Sequence, residues 1–198
     1  MSIKKLLEND NLSDNEFDLV YNKLIREASA FHFTPIAVIK LVLNYLKENN
    51  IKKVLDIGSG AGKFCLIGAA LSDIEFTGVE HRKSFFDAAQ RLKEDSNLSN
   101  ANFIFADICD VSFDDYDAFY FFNSFQENLY IAERINDEIS LNSHLYATYS
   151  NYVKMQLDLK PIGTILITYF SFGKEIPESY VLVKAIMSDK IKFWKKAI

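Results

Sequence analysis

The chain has 198 residues, 49% of them hydrophobic and 25% charged, which fits one globular unit with a sizeable core and excludes wholesale disorder. Its formal charge of −5, from 22 basic and 27 acidic side chains, argues against a protein that coats nucleic acid. Two cysteines, Cys65 and Cys109, are too few for a disulfide scaffold, and no apolar run approaches the ~18 residues of a spanning helix, so a cytoplasmic protein without membrane contact is expected.

In chain order, residues 14–30 carry apolar side chains at Phe17, Val20, Tyr21, Leu24 and Ile25, a spacing that predicts an amphipathic helix. Thr34-Pro35 reads as a capping residue followed by proline at the first helical position. The helix it opens should run through residues 36–47 and stop near Asn49-Asn50. Lys53–Ile57 reads as a short buried strand, followed at once by a glycine cluster and a helix over 63–72. The pattern then alternates: strand Glu75–Glu80, helix Lys83–Lys93, strand Asn102–Ala106, a turn-rich stretch, and strand Asp117–Phe122. A long helical region over 126–159 precedes strand Gly163–Phe170. Tyr180–Met187 and Lys190–Trp194, joined by Ser188-Asp189, read as an antiparallel hairpin. Such alternation predicts an α/β fold, a mostly parallel sheet with helices on both faces and an antiparallel edge.

Gly58, Gly60 and Gly62 are three of only seven glycines, so the backbone there must turn tightly or approach a ligand closely. A phosphate-cradling loop needs a glycine where Ile57 stands and a hydroxyl where Phe64 stands. The dinucleotide fingerprint fits Gly58 and Gly60 but meets Lys63 at its third glycine. The pattern acid-x-Gly-x-Gly-x-Gly is met in full by Asp56, Gly58, Gly60 and Gly62. In this motif the sequence resembles the class I S-adenosylmethionine-dependent methyltransferases, over roughly residues 34–198. The chemistry agrees, because that cofactor carries an ammonium and a sulfonium, which an acidic strand end suits better than it suits a pyrophosphate.

The resemblance implies a Rossmann-like, doubly wound, seven-stranded sheet of order 3-2-1-4-5-7-6 with the seventh strand antiparallel. It implies an N-terminal helical cap at residues 1–50 on a methyltransferase domain at 51–198. The cofactor would lie on Asp56, Gly58, Ser59, Gly60 and Gly62. Glu80, at the end of the second strand, would take both ribose hydroxyls. His81, Asp107 and Ile108 would meet the adenine, with Cys109 a possible neighbour, and Thr34 would cover the methionine end beside a helix N-terminus.

At the reaction end, Phe122-Asn123-Ser124-Phe125 resembles the Asp/Asn-Pro-Pro-Tyr/Phe motif of amino-methylating members but is one residue short. It is closer to the Asn-Pro-Phe of the class I-fold histone lysine methyltransferases, whose glycine loop is also Asp-x-Gly-Ser-Gly-x-Gly. Asn123 is the candidate catalytic residue, and Glu127, Tyr169 and His144 are candidates to assist deprotonation. No metal is implied.

The implied reaction passes a methyl group to an acceptor, whether protein, RNA or small molecule, and releases S-adenosylhomocysteine. A catalytically silent cofactor-binding protein and a nicotinamide-dependent oxidoreductase stay open as alternatives. The 126–159 region exceeds what one crossover helix, Tyr146–Leu159, requires. Ile131, Ile135 and Ile139 recur there at helical spacing, so residues 127–140 are expected to form a second helix acting as a lid over the acceptor.

Overall fold

The computed structural model describes residues 2–130 and 134–198. Short helix α1 (Ile3–Leu6) comes first, then α2 (Asp14–Phe17), α3 (Lys23–His32) and α4 (Ile36–Glu48). The single helix expected over 14–30 is therefore two helices separated by a 3-10 turn at Asp18–Val20. Polar caps explain the break. Ser13 and Glu16 form a reciprocal capping box that starts α2, and the Asn22 side chain accepts from Ile25 N–H and restarts the helix as α3.

The expected cap of α4 is also corrected. Pro35 is the N-cap residue, and the Ile36 N–H donates to Asp14 Oδ1 at 2.9 Å. Thr34 instead shares a buried 2.8 Å hydrogen bond with the Tyr120 hydroxyl. A carboxylate from α2 has displaced the local hydroxyl because it brings a full negative charge to the positive end of the helix.

Strand β1 (Lys53–Ile57) leads into α5 (Lys63–Ala70), β2 (Glu75–Glu80), α6 (Lys83–Asp95) and β3 (Ala101–Phe105). Strand β4 (Ala118–Phe121), helix α7 (Ser143–Asp158) and strands β5 (Ile165–Tyr169), β6 (Tyr180–Ile186) and β7 (Ile191–Lys196) complete the fold. The order is β3-β2-β1-β4-β5-β7-β6, as the resemblance implied. The first five strands pair in parallel, and β7 runs antiparallel to both β5 and β6. The final hairpin turns through Met187, Ser188 and Asp189, all at positive φ, so its connector is longer than the two residues expected.

Alternating strand residues divide the core between two faces. Val54, Phe76, Ala118, Tyr120 and Ile165 pack with α3, α4, α5 and α6, whereas Leu55, Val79, Phe119 and Leu166 pack with α7. Ile3, Phe17 and Tyr21 from the N-terminal segment join the first of these clusters. Among the described residues no single helix is long and apolar enough to cross a membrane.

The long connection from β4 to β5 departs most from expectation. Its described part before α7 holds only a 3-10 turn at Gln126–Asn128, and residues 134–142 are not helical. Ile131 lies outside the described residues. Side-chain acceptors take the backbone amides of this stretch: Glu127 accepts from Ile135 N–H and Asn128 Oδ1 from Asn142 N–H. Such bonds offer the backbone an alternative to the helical ladder. The crossover helix itself starts at Ser143, where Asn142 caps it, rather than at Tyr146.

Candidate functional site

The carboxyl ends of the parallel strands open into a cavity of about 450 Å³, within the ~300–1,000 Å³ range of small-molecule sites. A smaller polar pocket adjoins it, lined by Thr34, Asp56, Ser59, Lys63 and Tyr120, and Gly58 borders both.

Two glycines set the loop between β1 and α5. Gly58 lies at φ +76°, and a Cβ there would come within 2.5 Å of the Ser124 Cβ. That close approach lets the Ser124 hydroxyl donate to the Ile57 carbonyl, so the exits of β1 and β4 are tied together. Gly62 is the left-handed N-cap of α5, and a Cβ there would meet Phe103 at 2.6 Å. Any other residue at either position would face both a clash and a strained backbone.

Glu80 reaches across from β2. Its Oε2 accepts from Gly60 N–H at 2.9 Å and its Oε1 from Arg82 N–H at 2.7 Å. Each oxygen keeps a further lone pair, and Glu80 lines the cavity. His81 and Ile108 line it too, with the His81 ring edge-on to Tyr149 at 6.4 Å. Asp107 is engaged elsewhere: Oδ1 accepts from Cys109 N–H at 2.9 Å and Oδ2 from the Tyr149 hydroxyl at 2.7 Å. Ala106 and Ile108, on either side of it, face the cavity instead. Cys109 is a partly buried free thiol outside the cavity lining, pushed up to about 11 by desolvation beside Asp107 and Asp110.

Asp56 is buried and receives the Cys65 thiol at 3.4 Å. Desolvation raises its carboxyl to about 7, with the Glu80 charge adding to the shift and the thiol opposing it. Asn123 follows β4 at φ +46°, donates from Nδ2 to the Gln126 side chain, and lines the large cavity.

The candidates for proton removal separate. Glu127 lines the cavity but is held by Arg82, whose Nη2 lies 2.8 Å from Oε2. Tyr169 is outside the cavity lining and packs against Phe122 at 4.6 Å. His144 is exposed on α7 and does not line the cavity.

Residues 48–198 match the family described as a methyltransferase domain. The chain belongs to that family. Membership makes its activity S-adenosylmethionine-dependent methyl transfer. The fold is similar along 98% of both chains to a candidate caffeoyl-CoA O-methyltransferase from Staphylococcus aureus, at 16% identity and a TM-score of 0.60. It is also similar to an O-methyltransferase from Bacillus cereus in complex with S-adenosylhomocysteine, at 13% identity and a TM-score of 0.56, over 88% of this chain and 90% of that one. An RNA methyltransferase from Salinibacter ruber with S-adenosylhomocysteine bound matches at 15% identity and a TM-score of 0.54, over 82% and 92% of the two chains. At these identities the likeness is one of fold.

The residues of this methyltransferase fit the cofactor. Ser59 Oγ is buried without a hydrogen-bond partner among the described residues, and such a group is costly unless something pairs with it. It sits beside Asp56 in the polar pocket, a space of about 20 Å³ at the edge of the large cavity. Among the described residues no group of three or more His, Cys, Asp or Glu could hold a metal ion.

Two features of the site escaped the sequence reading. Lys63, weighed there only as a misfit, is buried and pairs with Asp14 at 2.7 Å and Asp18 at 2.8 Å. Arg82 reaches Glu127 and also donates from Nε to Asn136 Oδ1 at 3.2 Å. Both pairs join residues more than 40 positions apart, a distance across which no local pattern signals a partner.

Proposed function

We propose that S-adenosylmethionine lies across the exits of β1, β2 and β3, with its amino-acid end in the polar pocket and its nucleoside end in the large cavity. Asp56 would face the ammonium, the loop of Gly58, Ser59, Gly60 and Gly62 would follow the backbone of the ligand, and Glu80 would accept from the ribose. His81 and Ile108 would flank the adenine. Thr34 would border the methionine end through its bond to Tyr120, and Asp107 would act on the adenine only indirectly, as the cap that positions Ile108.

The observation that carries this reading is the Glu80 carboxylate, drawn onto the Gly60 amide at the cavity edge. Bound there, the cofactor supplies an electrophilic methyl on a sulfonium. The chain's own contribution is alignment and exclusion of water. Asn123 presents a side-chain carbonyl to the acceptor while its amide nitrogen is occupied by Gln126.

Residues 126–142 would cover the acceptor, a role supported by their attachment to the start of α6. Besides the Arg82 contacts, Glu138 accepts from Ser84 N–H at 2.9 Å. The residues 1–50 would serve as a cap on the domain at 51–198. A cytoplasmic setting is supported by two cysteines that are both free thiols.

Calorimetry with S-adenosylhomocysteine tests the ribose assignment. Glu80→Gln keeps an acceptor for the Gly60 amide but loses the charge, and should weaken binding by roughly 1.5–3 kcal/mol, the scale of a charge-assisted hydrogen bond. Unchanged affinity in a folded variant would remove Glu80 from the site.

A further inference from the structure

The ends of β4 and β5 lie side by side, with Phe121 in register with Thr168. Soon after each strand comes a residue in left-handed backbone: Asn123 at φ +46° and Phe170 at φ +51°. Asparagine tolerates that region, but a bulky aromatic there is an outlier, and strain of this kind collects at functional sites. Phe170 is 44% exposed while lining the large cavity, with the Tyr169 ring at 4.6 Å and the Lys190 ammonium 5.3 Å from its ring centre. Phe122 lies 6.2 Å away with its ring inclined by 31°. Phe172, 53% exposed, lines the same cavity. Three phenyl rings thus line one cavity, and exposed aromatic surface in a concave site marks a place for a ligand.

Three charged side chains stand among the described lining residues, Glu80, Arg82 and Glu127. Arg82 pairs with Glu127, and Glu80 accepts from two backbone amides. The other polar side chains among the described lining residues, including the amides of Asn123, Gln126 and Asn128, are uncharged or are the imidazoles of His32 and His81. Arg82 is the one lysine or arginine among the described lining residues, whereas a polynucleotide needs a series of cations along its phosphates.

We propose that Phe122, Phe170 and Phe172 form the acceptor subsite and that the acceptor is a neutral, planar aromatic small molecule with its nucleophilic oxygen or nitrogen at the ring edge. This rests on the methyltransferase reading of the site. The acceptor's oxygen or nitrogen forms a bond to the methyl carbon as the bond from that carbon to sulfur breaks. The electron pair stays on sulfur, which becomes a neutral thioether, and the acceptor's proton leaves to solvent. The phenyl rings fix the plane of the acceptor, and the Asn123 side-chain carbonyl accepts a hydrogen bond from its hydroxyl or amino group.

Calorimetric titration of the full chain saturated with S-adenosylhomocysteine tests this, with three probes: 2-naphthol, its saturated counterpart decahydro-2-naphthol, and a single-stranded RNA 12-mer. The expected result is that 2-naphthol binds about tenfold more tightly than the saturated alcohol and that the RNA does not bind, since stacking rewards a flat ring. Phe170→Gly separates a ligand contact from a structural role. It should keep or raise the melting temperature by relieving the left-handed phenylalanine, hold S-adenosylhomocysteine affinity within about twofold, and weaken 2-naphthol about tenfold. Equal binding of the two alcohols, binding of the RNA alone, or a lower melting temperature with 2-naphthol affinity unchanged would each overturn the proposal. Failure of S-adenosylhomocysteine itself to bind would instead overturn the cofactor reading on which it stands.

Discussion

Asp56 shows how far the surroundings of one residue can redirect its chemistry. The side chain is 4% exposed, and desolvation lifts its carboxyl to about 7. In the unfolded chain the same group titrates near ~3.9. Because the folded value is the higher one, the stability this group contributes is complete below about pH 4 and is lost as pH rises through about 7. The ammonium of the ligand reverses the preference, since it needs the carboxylate. Affinity for S-adenosylmethionine should therefore increase with pH. Between pH 6 and pH 7.5 the ionised fraction of such a group grows about eightfold while the protonated fraction of an α-amino group falls by about a third, a net gain of about fivefold to sixfold. Titration calorimetry at those two values should show a gain of that size in the native chain and none in Asp56→Asn. A native profile without slope would place the ammonium elsewhere. The acid-and-glycine pattern marked Asp56 as a candidate cofactor residue, but the thiol beside it lies in the first turn of α5 and becomes a partner only when the loop folds back.

At the scale of elements, what was legible depended on how local the signal was. The strands β1 to β5 carry short apolar runs bounded by turns, and their order followed from a family resemblance anchored in Asp56 of β1 and the three glycines of the loop after it. The described part of 126–142 misled because its isoleucine spacing imitates a helix while Glu127, Asn136 and Glu138 are engaged across the fold. Ile135 and Ile139 do face the cavity, as one side of such a helix would have. Glu127 and Glu138, however, bind Arg82 and Ser84 at the start of α6, partners that lie more than 40 residues away. The Arg82 and Glu127 side chains are 5% and 11% exposed, so removing one partner strands a nearly buried charge, a loss of about 3–5 kcal/mol when fully expressed. The segment can release that cost by detaching from α6. Arg82→Ala should thus raise hydrogen exchange at 126–142 by about tenfold or more while leaving β1, β4 and β5 protected. It should also speed S-adenosylhomocysteine release. Uniform loss of protection across the sheet would show the segment to be part of the core rather than a cover.

For the whole molecule, the N-terminal helices and the sheet meet at one buried charge. Lys63 begins α5 directly after Gly62, and its side chain is 3% exposed between Asp14 and Asp18. Asp14 also receives the first amide of α4, Asp18 also accepts from the Ser29 hydroxyl, and the Tyr21 hydroxyl donates to the Ala61 carbonyl at 3.2 Å. The glycine loop is therefore held from its outer side by α2, α3 and α4 together, although residues 1–47 lie outside the matched family region. Apolar packing of Ile3, Phe17 and Ile25 joins the N-terminal helices to the core, and the charged node fixes their register on the loop. Lys63→Met keeps the length of the side chain but leaves Asp18, 9% exposed, without its cation. The expected cost is roughly 3 kcal/mol, equivalent to a melting-temperature drop of about 6–12 °C in a chain of this size. Cofactor affinity should fall in parallel, because the loop loses the contact that positions α5. Adding Asp18→Asn to Lys63→Met removes the stranded charge and should recover at least about half of the lost stability. If scanning calorimetry finds the single variant as stable as the native chain, the cap is held by apolar packing alone and the loop does not depend on it.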